Sequence, residues 1–155
     1  MRFLCDRMLA SLGRWLRIAG YDTLIVDSDI EDSQILDTAL KEKRRLLTRD
    51  RHFSESSPKD SVLFLKGNSI EEWVKELNAA LPMNWLHSPF SRCLLCNGAL
   101  SVPDETLIQE MAPEAVRSQT KEFWACEQCH KLYWEGSHTK QMRQQLELWQ
   151  ESKGQ

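Results

Sequence analysis

Long hydrophobic runs are absent from this sequence. The longest uninterrupted apolar stretches contain four residues, as at positions 62–65, whereas a membrane-spanning helix needs ~20. The N-terminal segment reaches an acid already at Asp6, so it offers no apolar core of the kind that a signal peptide requires. We therefore expect a cytoplasmic protein without a membrane partner.

Glycine, proline and net positive charge are also scarce. The chain has six glycines and five prolines among 155 residues and is 41% apolar, which excludes a low-complexity or disordered chain. The chain has 20 lysines and arginines and 23 aspartates and glutamates, which gives a formal net charge of −3. A simple nucleic-acid binder would carry a clear basic excess, but a nearly neutral chain still has room for local basic stripes beside acidic pockets.

Strand-like and helix-like patterns alternate over the first 84 residues. The predicted strands are residues 3–5, 23–26, 46–48 and 62–65. Amphipathic stretches between them predict helices, and the alternation predicts βαβ units and a parallel sheet with right-handed crossovers. We interpret the proline-containing stretch 81–89 as a linker. The sequence thus predicts an α/β domain over residues 1–84 and a smaller domain over residues 85–155 that ends in a helix.

Three acids follow the predicted strands at comparable positions. Asp6 comes directly after the first strand, Asp50 shortly after the third, and Asp32 opens the helix that follows the second. In an open parallel sheet, ligands bind beyond the carboxyl ends of the strands, where the strand order reverses. If the first and third strands are neighbours, Asp6 and Asp50 converge and Asp32 points to the same crevice.

Three carboxylates in one crevice repel each other unless a cation neutralises them. Oxygen ligands of this kind suit Mg²⁺ or Mn²⁺, and they support hydrolysis of a phosphodiester by metal-activated water. Two of these acids also have an ordinary interpretation, Asp32 as a helix N-cap and Asp50 as a turn residue. Asp29 and Asp27 are weaker candidates in the same region.

Four of the five cysteines form two Cys-x-x-Cys pairs, Cys93 with Cys96 and Cys126 with Cys129. In a chain without a secretory signal, such pairs indicate a metal site rather than disulfides. Four thiolates suit tetrahedral Zn²⁺ and leave no open coordination position, which predicts a structural site. The 29 residues between the pairs exceed the usual ~15–20, so we expect an insertion with a helical piece near residues 111–117.

Several stretches resemble known ribonucleases. The motifs Asp32-x-x-Ile35-x-x-x-Ala39 and Leu46-Leu47-Thr48-Arg49-Asp50-x-x-Phe53 resemble the core of PIN-domain ribonucleases. A closer resemblance is to the Mut-seven C-terminal ribonuclease domain, a compact PIN-like family that ends in a zinc ribbon. It is carried by FLCDRML at 3–9, GRWLR at 13–17, GYDT at 20–23, PFSRC at 89–93 and YWxGSH at 133–138.

The resemblance implies a PIN-like (Rossmannoid) α/β fold with a C-terminal zinc ribbon, ribonuclease activity and RNA as the partner. It places Asp6, Asp32 and Asp50 at the metal-binding acid positions of the family, and Asp29 is the nearest match to a further acid. PIN-like domains often dimerise, so a homodimer is one candidate state.

Basic and aromatic residues near these motifs are candidates for contacts with RNA. The candidates are Arg7, Arg14, Arg17, Arg49, Trp134 and His138. The first three lie within a broad stripe of the first predicted helix, and the arginines are suited to neutralise phosphates. The aromatic pair is suited to stack on unpaired bases. The alternatives are a solvated helix face for the arginines and packing around the metal for the aromatic residues.

The leading hypothesis is a metal-dependent ribonuclease in which Asp6, Asp32 and Asp50 hold Mg²⁺ or Mn²⁺. The alternative is a non-catalytic RNA- or protein-binding module that uses the zinc ribbon; the three clustered acids argue against it. Hydrolysis of small phosphoesters is a weaker third hypothesis, because no Asp-x-Asp follows the first strand, as the aspartyl-phosphatase mechanism requires.

Overall fold

Strands and helices alternate through the first part of the chain, as the sequence predicts. A computed structural model describes residues 1–26, 29–120 and 122–154. The strands are β1 (Arg2–Cys5), β2 (Asp22–Ile25), β3 (Arg45–Thr48) and β4 (Val62–Phe64). The helices are α1 (Ala10–Ile18), α2 (Asp32–Lys41), α3 (Arg51–Ser56) and α4 (Ile70–Ala80). A 3-10 turn over Arg7–Leu9 connects β1 to α1.

The four strands form one parallel sheet in the order β2–β1–β3–β4. Strand β1 pairs with both β2 and β3, so that Cys5 lies opposite Ile25 on one side and Leu47 on the other. The expectation of a parallel sheet is confirmed, as is the condition that the first and third strands are neighbours. The strand order therefore reverses between β1 and β3, which is where an open α/β sheet binds its ligands.

Alternate residues of each strand are buried on opposite faces of the sheet, because the side chains of a strand alternate in direction. On one face, Phe3 and Cys5 join a core with Leu12 and Leu16 of α1 and Leu77 of α4. On the other face, the core cluster consists of Leu4, Ile35, Ala39, Leu46, Phe53 and Val62. The sheet is thus covered by helices on both faces, the arrangement typical of parallel sheets.

The second part of the chain is built around a three-stranded antiparallel sheet in the order β5–β6–β7. Its elements are β5 (Leu100–Ser101), α5 (Glu105–Met111), α6 (Glu114–Gln119), β6 (Phe123–Cys126), β7 (Leu132–Trp134) and α7 (Ser137–Glu151). We refer to β5–β7 with the four cysteines as the ribbon. The expected insertion consists of two short helices, α5 and α6, that bracket the predicted position.

Helix α7 packs on the core of the first part of the chain. The ring of Trp149 makes edge-to-face contacts with Trp15 at 4.9 Å and with Trp85 at 5.2 Å, and Leu146 is fully buried in the same core. The helix that ends the predicted second domain therefore completes the hydrophobic core of the first. None of the helices in the described part of the chain, α7 included, combines the length and apolar character needed to span a bilayer.

Candidate functional site

Asp6 lies directly after β1, at the carboxyl ends of the strands and where the strand order reverses. We refer to this end of the sheet as the acidic edge. Its backbone N–H donates to the carbonyl of Leu47 at 3.2 Å, which ties it to β3. Its carboxylate accepts hydrogen bonds from the Thr48 hydroxyl at 2.6 Å, from the Arg49 backbone N–H at 3.2 Å and from the Met8 backbone N–H at 3.1 Å. Three donors on two elements therefore hold this carboxylate in one orientation.

Asp50 lies at the same edge and is connected to Asp6 through Thr48. The backbone N–H of Asp50 donates to the Thr48 hydroxyl at 3.0 Å, and this hydroxyl in turn donates to Asp6. The carboxylate of Asp50 accepts from the His52 backbone N–H at 2.9 Å and so caps α3. Thr48 is fully buried. Thr48 was not among the site residues predicted from the sequence. A threonine at the last position of a strand, two residues before a candidate acid, could have indicated it.

Asp32 and Asp29 lie on the segment between β2 and α2. Asp32 is the first residue of α2, whereas Glu31 holds the N-cap position, so the interpretation of Asp32 as the N-cap is wrong. Its side chain is exposed. Asp29 is exposed and pairs with Arg7 at 3.0 Å, which places it beside the turn that follows Asp6. Asp27 lies outside the described residues.

The carboxylates are not gathered as tightly as the cysteines. Among the described residues, only Cys93, Cys96, Cys126 and Cys129 form a group of three or more potential ligands whose ligand atoms all lie within 4.8 Å of one another. The edge nevertheless presents hard oxygen ligands, the donor type that suits Mg²⁺ or Mn²⁺. Asp6 and Asp50 follow the neighbouring strands β1 and β3 at this edge and are candidates to hold such an ion.

The geometry of the four cysteines suits a structural zinc or a similar ion. The Sγ atoms of Cys93 and Cys129 are 3.7 Å apart, and those of Cys96 and Cys126 are 3.3 Å apart. Tetrahedral zinc with Zn–S bonds of ~2.3 Å spaces its sulfurs by ~3.8 Å. A Cβ atom at Gly98 would lie 2.8 Å from the Cys126 sulfur, so the knuckle requires glycine there.

Tyr133 supports this centre from outside the ligand set. Its hydroxyl lies 3.0 Å from the Cys93 sulfur. Burial raises the pKa of Cys93, but hydrogen bonds from Tyr133 and from backbone N–H groups outweigh it and bring that pKa down to about 7. A lowered pKa favours the thiolate that binds a metal. Tyr133 thus contacts a candidate metal ligand directly.

Arg7 lies in the 3-10 turn before α1, Arg14 and Arg17 lie in α1, and the three do not share one exposed stripe. Arg7 and Arg14 are exposed, but Arg17 is only 6% exposed. The Arg17 guanidinium donates to the carbonyl of Thr23 at 2.8 Å and to that of Leu94 at 2.9 Å. The assignment of Arg17 to an RNA-binding face is thus corrected, because its side chain joins β2 to the first cysteine knuckle and has little contact with solvent.

Arg49 lies next to the acidic edge, as expected. Its side chain is half-buried and donates to the side-chain amide oxygen (Oδ1) of Asn68 at 2.7 Å, while its Nε finds no hydrogen-bond partner among the described residues. Trp134 and His138 lie far along the chain from this edge and line a cavity beside the ribbon. The structure therefore distributes the predicted RNA contacts over two places rather than one.

The model of the Mut7-C RNAse domain family matches residues 1–146. The match covers the sheet with its acidic edge, the ribbon with its four cysteines and most of α7. No curated protein and no solved structure matches the chain.

Proposed function

Because the chain belongs to the Mut7-C RNAse domain family, we propose that it is a metal-dependent ribonuclease that hydrolyses RNA phosphodiester bonds at the acidic edge of its parallel sheet. Asp6, Asp32 and Asp50 would hold Mg²⁺ or Mn²⁺, with Asp29 as a further acid nearby. The four cysteines would hold a structural Zn²⁺, because a set of four thiolate ligands leaves no open position for substrate.

The link between Asp6 and Asp50 through the Thr48 hydroxyl is the observation that carries this proposal. Two acids that follow different strands lie at the switch point of the sheet, where one buried hydroxyl donates to the Asp6 carboxylate and accepts from the Asp50 backbone N–H. An open α/β sheet binds its ligands at this point, and two carboxylates held there by hydrogen bonds offer oxygen ligands for a divalent ion. The arrangement therefore supports an active site over a purely structural role for these acids.

Each residue of the edge has a distinct task in this mechanism. A bound divalent ion lowers the pKa of water and neutralises charge on the attacked phosphate. The Thr48 hydroxyl and the backbone N–H of Arg49 orient the Asp6 carboxylate, and Asp50 is fixed by its cap on α3. The exposed guanidinium of Arg7 and the half-buried one of Arg49 flank the acids, where they would bind the RNA phosphates.

The substitution Asp6→Asn tests this proposal in the full-length, zinc-loaded protein. Asp60→Asn is the matched control, because Asp60 is exposed and precedes β4, away from the carboxyl ends of the strands. Cleavage of single-stranded and structured RNA is measured with and without added Mg²⁺ or Mn²⁺, and RNA binding is measured separately.

The expected result is cleavage that depends on the added ion, is lost in Asp6→Asn and is retained in Asp60→Asn. RNA binding by Asp6→Asn should equal or exceed that of the unchanged protein, because one phosphate-repelling charge has been removed. Equal cleavage by both variants would show that the acidic edge is not the active site. RNA binding without any ion-dependent cleavage would favour the non-catalytic binding module instead.

A further inference from the structure

A cavity of about 260 Å³ lies between the ribbon and the ends of α1 and α7. We refer to it as the ribbon cavity; its aromatic lining residues are Phe90, Trp124, Tyr133, Trp134 and His138. We propose that the ribbon cavity binds one unpaired base of an RNA strand, an inference that rests on the proposed function because that function supplies the RNA.

The size of the ribbon cavity limits its occupant to a small group. Sites for small molecules usually measure about 300–1,000 Å³, and this cavity lies just below that range. An α-helix of a partner protein, with a diameter of about 10–12 Å, is too wide to enter it. A single planar ring system such as a nucleobase suits the space.

Aromatic side chains make up much of the wall of the ribbon cavity. Phe90 and Trp124 are stacked on each other, with ring centroids 6.2 Å apart and planes inclined by 23°, and the Arg143 guanidinium lies over the Phe90 ring at 4.8 Å. Trp134 is half-buried and His138 is exposed at the mouth. Aromatic faces of this kind stack on unpaired bases with little regard to base identity, so the walls fit a base without requiring a particular one.

The charges around the ribbon cavity favour a polyanion. Its lining includes Arg92 and Lys131 and, in the described part of the chain, no aspartate or glutamate. This stands out in a protein with a net charge of −3. Arg92 lies 3.9 Å from Asp22, but Lys131 lies over the Tyr133 ring at 5.5 Å and is exposed. A cation at the mouth is positioned for the phosphate that flanks a bound base.

The ribbon cavity lies near the amino ends of the strands, whereas the candidate active site lies at their carboxyl ends. Ile18 at the end of α1 lines the cavity, and Arg92 reaches Asp22, which is paired with Arg2 at the start of β1. Asp6 is four residues further along the chain than Arg2, about 13 Å at ~3.3 Å per residue. Nucleotides stacked as in a duplex advance ~3.4 Å each along a strand, so about four such nucleotides would span the distance between the bound base and the cleaved phosphate.

The test compares two RNA strands of equal length and charge, one with all its bases and one that is abasic throughout. Because the two strands share the same phosphates, the ratio of their dissociation constants isolates the contribution of the bases. The full-length, zinc-loaded Asp6→Asn protein is used without added Mg²⁺ or Mn²⁺, so that binding is measured without cleavage. Variants of the ribbon cavity are then made in this background.

His138→Ala and Trp124→Leu are the informative variants. His138 is exposed, so its removal leaves the fold intact, and Lys140→Ala is the matched control because Lys140 is exposed on the same helix outside the cavity lining. Loss of one stacking partner should lower the preference for the base-containing strand by about 5–140-fold for Trp124→Leu. His138→Ala should lower it less, and Lys140→Ala should leave it unchanged.

Zinc content and melting temperature establish that each variant is folded. An unchanged preference in both cavity variants would overturn the inference, and so would equal binding of both strands by the unmodified cavity. Cleavage is measured separately on the protein that retains Asp6, with added Mg²⁺ or Mn²⁺. If that protein cleaves RNA but the binding test shows no base preference, the cavity assignment is refuted and the proposed function stands. If the base preference depends on the cavity but the protein that retains Asp6 cleaves no RNA, the proposed function is refuted and the cavity assignment stands.

Discussion

The side-chain amide of Asn97 donates a 2.7 Å hydrogen bond to the carboxylate of Asp22, and its carbonyl oxygen accepts a 3.0 Å bond from the backbone N–H of Thr23. Asn97 belongs to the first cysteine knuckle, and the other two residues belong to β2, the edge strand of the parallel sheet. An edge strand exposes unpaired backbone groups that invite pairing with other chains. The ribbon therefore caps this edge with a side chain.

The capping role of Asn97 predicts a loss of stability in Asn97→Ala. The substitution leaves the backbone N–H of Thr23 without its partner, and an unsatisfied group of this kind costs about 1–3 kcal/mol. Urea denaturation should show a decrease of that size, with faster amide exchange at Thr23. Leu95→Ala is the control, because Leu95 is 59% exposed in the same knuckle. Equal effects of the two substitutions would contradict the capping role.

Removal of zinc should affect the sheet as well as the ribbon. Structural zinc contributes directly to the folding of the segment that it binds, and the first knuckle holds β2 through Asn97 and through the contact of Arg17 with Leu94. Chelation, or Cys126→Ser, should unfold the ribbon and increase hydrogen exchange at Thr23. Metal analysis should give one zinc per folded chain. Unchanged exchange in β2 after chelation would show that the two parts are independent.

Arg14 and Arg17 should respond differently to substitution. The exposed Arg14 lies halfway along α1, which runs from the acidic edge towards the ribbon cavity. Arg14→Ala should reduce the salt dependence of single-stranded RNA binding by about one phosphate contact, a change of ~0.7 in slope. Arg17→Met should leave that slope unchanged and lower stability by about 1.5–3 kcal/mol, because two buried carbonyls lose a charged donor. The opposite pattern would restore Arg17 to the RNA-binding face.

The carboxyl group of Asp22 makes the stability of the fold depend on pH in the acid range. Partial burial raises the pKa of this carboxyl, but Arg44 and Asn97 outweigh that effect and hold the pKa at about 2. A folded-state pKa below the ordinary value of ~3.9 gives stability that is complete above about pH 4 and is lost as pH falls towards 2. Asp22→Asn should flatten the fall in melting temperature within this window. A curve that still parallels that of the unchanged protein would assign the loss to other acids.

Thr48 is a positioning residue for the proposed reaction. Thr48→Val keeps the shape of the side chain but removes the hydroxyl that contacts Asp6 and Asp50. Loss of an outer-sphere partner typically costs 10–100-fold in activity or metal affinity, so cleavage should fall by about that factor while RNA affinity stays the same. Thr48→Ser restores the hydroxyl and should restore cleavage. If serine and valine variants cleave equally slowly, the effect comes from packing alone.

Local patterns were sufficient to predict the four strands of the parallel sheet and the convergence of the four cysteines, but not the three strands of the ribbon. The alternation of Phe3, Leu4 and Cys5 between two buried faces follows from the geometry of a strand, and four cysteines in two close pairs can converge only on a metal or on disulfides. The acids Asp6 and Asp50 were predictable for the same reason, because the carboxyl ends of parallel strands meet at one edge of the sheet.

The tertiary structure decided which of the polar side chains face solvent and which join distant segments. Arg14 and Arg17 are three residues apart on one helix, yet only Arg17 meets Leu94, which lies 77 residues further along the chain. The packing of Trp149 on Trp15 is equally remote in sequence. Spacing along a helix specifies the direction of a side chain but not what lies in that direction. The sequence by itself therefore determined the elements and their chemistry, and the docking of the ribbon and α7 onto the sheet determined which residues are free to act.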